Sequence, residues 1–142
     1  MAPASIHFAS PLHRLLLAFP IALYAGGLAS DITYLNSEVV QWSHFAAWMI
    51  AGAQAFGALV LVFALFGAIR RRKHAWRGRS MVYLLLVVVM WTAGLINSFQ
   101  HSRDGWSSVG NTGLVLSIVC TLAALVAGWI AYSNPVLRED AR

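Results

Sequence analysis

The chain has 142 residues, 59% of them hydrophobic and only 11% charged, with a formal net charge of +5. That balance lies outside the soluble globular range and marks a membrane protein. The positive charge lies almost entirely beside apolar stretches, where topology and anionic headgroups explain it, so no nucleic-acid partner is expected; the lone Cys120 excludes an intramolecular disulfide and any cysteine-based zinc or iron–sulfur framework.

A helix needs about 20 mostly apolar residues to cross ~30 Å of hydrocarbon. Four stretches qualify, roughly 15–35, 45–69, 81–99 and 113–132. In the first, Pro20, Tyr24, Gly27, Asp31 and Tyr34 recur on one face, and Pro20, which lacks an N–H, predicts a bend and an unpaired carbonyl at Leu16. Arg14 with an apolar stretch ending Gly27-Leu28-Ala29 also resembles a cleavable secretory signal. The stretch is long enough to span, and the preceding segment, with Pro3 and Pro11, is untypical of a signal, so the helix is read as retained. In the second span His44, Ala47, Ala51, Gln54, Ala55 and Ala58 are read as the inward face.

Between the second and third spans runs Arg70-Arg71-Arg72-Lys73-His74-Ala75-Trp76-Arg77-Gly78-Arg79. This run, Arg14, Arg138 and Arg142 hold every Lys and Arg except Arg103. Short loops rich in Lys and Arg stay cytoplasmic, which predicts both termini inside. The third span offers Ala93, Asn97, Gln100 and His101 to the interior, and the fourth Ser117, Cys120, Thr121, Ala124 and Gly128. Small and polar faces of this kind let membrane helices pack closely. Trp42, Trp48, Trp76 and Trp106 fall near predicted helix ends, the level their rings prefer. Short connections make neighbours antiparallel, so the expected fold is all-α: one up-down bundle of four transmembrane helices spanning residues 1–142.

The candidate site is a polar set at the outer end: Asp31, His44, Asn97 and His101, with Arg103 just beyond and Gln54 about 15 Å deeper. His44 is expected within hydrogen-bonding reach of one of the others. Two readings stand side by side. Both histidines are hydrogen-bonding residues at helix ends, or His44 and His101 are the axial ligands of a b-type haem seated against Ala47, Ala51, Ala55 and Ala58. In the haem reading Asp31 receives a ring N–H, Arg103 pairs with a propionate and Asn97 supports the site. A zinc or copper site would draw on His44 and His101, with Asp31 as a third ligand. His7, His13 and His74 belong to the opposite end. Nucleophile motifs, phosphate-binding loops and paired buried carboxylates are missing, so no catalytic role is evident, and the interior offers little to a transporter. The function expected is that of a small accessory or structural membrane subunit, surrounded by lipid and contacting a membrane-protein partner or a second copy of itself.

The opening Ser10-Pro11-Leu12-His13-Arg14-Leu15-Leu16-Leu17-Ala18-Phe19-Pro20-Ile21-Ala22-Leu23, followed by Asp31, resembles that of the bacterial membrane proteins grouped as domain of unknown function 2231. His13, Phe19, Pro20, Ile21 and Asp31 match the pattern, with weaker likeness at Gly67, Arg103 and Gly128-Trp129-Ile130. The resemblance implies four spans and an inner-membrane location. Two departures stand out: the family's histidine before Phe-Pro is Ala18 here, so no role of that histidine carries over, and the family's basic, glycine-rich ending does not follow Tyr132.

Overall fold

The computed structural model describes residues 9–73, 77–103 and 109–133. Trp76, Trp106, His7, His74, Arg138 and Arg142 lie outside the described residues. Four helices follow in order: α1 (Pro11–Ser37), α2 (Val40–Arg71), α3 (Arg77–His101) and α4 (Asn111–Tyr132). All four are long and apolar enough to cross a membrane. Each packs on its neighbours in sequence and α1 closes on α4, giving a four-cornered bundle in which α1 and α3 stand diagonally.

Local chemistry sets the helix ends. Ser10 accepts a hydrogen bond from the His13 backbone N–H at 3.3 Å, and Pro11, whose missing N–H is no loss there, opens α1. At the other end Glu38 takes a left-handed conformation, φ 56°, and its N–H bonds the Tyr34 carbonyl at 2.7 Å. Only Glu38 and Val39 therefore separate α1 from α2, where the expected spans, 15–35 and 45–69, leave a longer loop. Apolar content stops where hydrocarbon stops, but the backbone hydrogen-bond ladder continues into the headgroup layer. Pro20 is buried inside α1, which runs through it.

Large side chains such as Leu15, Phe19, Val62, Phe66, Leu85, Phe99, Leu122 and Leu125 face outward. The centre holds Tyr24, Leu17 and Ile50 among mostly small or medium groups such as Ala46, Ala53, Val60, Val87, Met90, Ala124 and Ala127. Close approach is real in places, since a Cβ on Gly128 of α4 would stand 2.7 Å from Cδ1 of Ile21 on α1. Arg79, near the start of α3, donates to the Ser133 carbonyl at 3.0 Å and to its hydroxyl at 2.7 Å, capping the end of α4.

The inward faces of α1, α3 and α4 include the expected residues Tyr24, Gly27, Asp31, Ala93, Asn97, His101, Ser117, Cys120, Thr121, Ala124 and Gly128. On α2 the expectation is corrected. The buried row is Ser43, Ala46, Ile50, Ala53, Gly57, Val60, Ala64 and Ala68, one residue earlier than expected, while His44, Ala51 and Ala55 are exposed. Both rows are rich in small residues, so composition alone does not separate them. Gln54 does: it lies 11 residues from Ser43, about 20° apart around the helix, but 10 from His44, about 80° apart.

Candidate functional site

Three levels of contact join α1 to α3 across the diagonal, and all share one register. His13 Nε2 meets Tyr83 Oη at 2.5 Å, and Asp31 Oδ1 meets His101 Nε2 at 2.8 Å, each pair separated by 70 residues. Between them Tyr24 Oη lies against Gly94, again 70 residues on, so closely that a Cβ there would collide with it. His13 and Asp31 are 18 residues apart, as are Tyr83 and His101. Eighteen residues make about five turns, so both pairs fall on one face of each helix.

The Asp31–His101 level is the richest. Asp31 is 0% exposed and His101 8%. Besides its contact with His101, Asp31 accepts a hydrogen bond at Oδ2 from the Ser117 hydroxyl of α4. Ser117 in turn accepts from Asn97 Nδ2 at 2.8 Å. The remaining ring nitrogen of His101, Nδ1, lies 3.0 Å from the Asn97 backbone carbonyl. A carbonyl cannot donate, so Nδ1 carries a hydrogen. The contact between Nε2 and Oδ1 then requires one shared proton, giving either imidazolium with carboxylate or neutral imidazole with carboxylic acid. With that proton the pair is net neutral; without it, a lone pair faces a carboxylate and the pair carries one negative charge. Side chains of three helices are thus tied to a single exchangeable proton.

The expected site residues divide cleanly. Asp31, Asn97 and His101 come together, joined by Ser117. His44 does not join them: α2 turns Ser43 inward and leaves His44 exposed. Arg103 is exposed beyond the end of α3. Since both nitrogens of His101 are engaged and His44 is on the outer surface, the axial pair of the haem reading is not assembled in this arrangement. Among the described residues no three His, Cys, Asp or Glu side chains gather as a metal would need.

Ser117 and Tyr83 carry links that sequence reasoning did not assign as site residues. The signal for Tyr83 is the matching 18-residue spacing of Tyr83 to His101 and His13 to Asp31. For Ser117 it is the need of a buried carboxylate for a second donor, which the polar end of α4 supplies.

Deeper in the bundle, Gln54 Nε2 donates to the Trp91 carbonyl at 3.0 Å, and Trp91 Nε1 donates to the Gln54 carbonyl at 3.3 Å. This reciprocal pair ties α2 to α3. The single hydroxyl proton of Thr121 on α4 is shared between the Tyr24 and Ser117 carbonyls, which lie 3.1 and 2.8 Å from Oγ1.

Fold and site together define a four-helix membrane bundle organised around an internal polar axis. The family model described as predicted membrane protein, DUF2231, matches residues 9–132, and the chain belongs to that family. No curated protein and no solved structure matches it. His13 and Asp31, the two polar residues among the five that match the family's opening, both reach across to α3.

Proposed function

We propose that the protein is a small, single-domain subunit of the bacterial cytoplasmic membrane, with both termini on the cytoplasmic side, and that its working part is the Asp31–His101 pair, a proton-binding centre at the outer end of the bundle. The observation that carries this reading is the 2.8 Å contact between Oδ1 and Nε2, buried inside spanning helices and oriented by Ser117 and the Asn97 carbonyl. Ionisable side chains held within membrane segments are costly and mark ion or proton sites. Hydrogen-bonded Asp–His chains also meet the chemical requirement for passing a proton, since each partner can hold it in turn. With no catalytic motif in the chain, the proton is exchanged on behalf of a partner in the membrane, as befits an accessory subunit.

The test is an infrared pH titration of the protein in lipid nanodiscs over roughly pH 3 to 10, a range that brackets the ordinary carboxyl and imidazole values. The Asp31 carboxyl band and the His101 ring band are expected to change together, in one step, and Asp31→Asn should remove the carboxyl change and with it the shared step. Bands that stay constant over the whole range would overturn the reading and leave the pair as a fastening between α1 and α3.

A further inference from the structure

Three buried polar atoms lie inward of the Asp31–His101 pair without a hydrogen-bond partner: Asn97 Oδ1, Tyr24 Oη and Gln54 Oε1. They come from three different helices. Tyr24 is 1% exposed and Asn97 0%. Two of these side chains, Tyr24 and Gln54, meet at Gly94. A Cβ there would strike Tyr24 Oη and stand 2.5 Å from Gln54 Nε2, and Asn97 follows three residues later on the same helix. One hydroxyl donor and two amide oxygens therefore occupy the middle of a membrane bundle. Unsatisfied polar groups cost several kcal/mol in hydrocarbon. Buried water, which takes two to four polar partners, is the small ligand whose chemistry matches a donor and two acceptors.

We propose that Tyr24, Gln54 and Asn97 form an internal water-binding site beside Gly94, and that this water extends the Asp31–Ser117–Asn97 hydrogen-bond chain to mid-bundle. The extension rests on the proton-binding reading above, but the site itself does not. Ser117 already links Asp31 to the Asn97 amide. The other face of that amide, Oδ1, is the acceptor left over, and water bound to it connects to the Tyr24 hydroxyl, seven residues below Asp31 on α1. Beyond Tyr24 the axis becomes apolar at Leu17, Val87 and Met90, so the wet path ends at mid-bundle, before the His13–Tyr83 level.

Water-edited solid-state NMR of the full chain in lipid nanodiscs tests the site directly. Magnetisation from water is expected to reach the side-chain amides of Asn97 and Gln54 while bypassing the Leu17 and Val87 methyl groups. No transfer to either amide in the wild-type protein would overturn the proposal. Tyr24→Phe should lose the transfer at Gln54 yet leave the Asp31 band titrating; transfer unchanged in that variant would also overturn the site as drawn. Water transfer together with a silent Asp31 band would establish the water site and dismiss the proton-binding reading, so the two stand or fall separately.

Discussion

Ser117 Oγ sits between two groups that have few alternatives, donating to Asp31 Oδ2 and accepting from Asn97 Nδ2. Ser117→Ala leaves both without that partner and is expected to cost about 1–3 kcal/mol, the usual penalty for stranding a buried polar group. The measurement is the denaturation midpoint in detergent, and an unchanged midpoint would mean the carboxylate finds another donor. Gly94 supplies a second test at this scale. In Gly94→Ala the methyl would collide with Tyr24 Oη and crowd Gln54 Nε2, so a loss of about 1–3 kcal/mol by overpacking is expected. Gly78→Ala is the control, because a Cβ there meets nothing within 4 Å. Equal effects of the two substitutions would show that the tight spot at Gly94 is not needed for stability.

For whole helices, the lesson of α2 is that a small-residue stripe does not announce its own direction. Ala53 is 0% exposed and Ala51 faces outward, although the two are near neighbours of the same type. Ala53→Leu is therefore expected to destabilise the bundle by about 1–3 kcal/mol and Ala51→Leu to be tolerated, in thermal melts of the detergent-solubilised protein. The reverse ranking would restore the face that includes His44. The number of spans, their order and three inward faces were legible because apolar length and polar spacing are strong signals. On α1, α3 and α4 a single polar row breaks the symmetry, through Asp31, Asn97 with His101, and Ser117 with Thr121. On α2 the conspicuous His44 lies near the headgroup layer, where an exposed imidazole meets water at little cost, so its polarity misleads. Asp31 and His101 were legible as site residues because a carboxylate and an imidazole in a span demand partners. Their fixed register with His13 and Tyr83 was present in the sequence only as two equal spacings.

For the molecule as a whole, the distribution of cations predicts an orientation that reporter fusions can check. A reporter placed within the 70–79 run and another after Arg142 should both read cytoplasmic, and opposite readings would require an odd number of spans between them. The diagonal bonding of α1 to α3 also sets an order of events during synthesis. His101 follows Asp31 by 70 residues, so at roughly 5–20 residues per second the carboxyl waits ~4–14 s for its imidazole after leaving the ribosome. In that interval α1 and α2, linked only by Glu38 and Val39, can enter the bilayer as a hairpin. The same interval leaves Asp31 without the His101 contact that later holds it. A nascent chain halted before α3 would therefore present Asp31 to the membrane without the imidazole that it meets at 2.8 Å in the finished bundle.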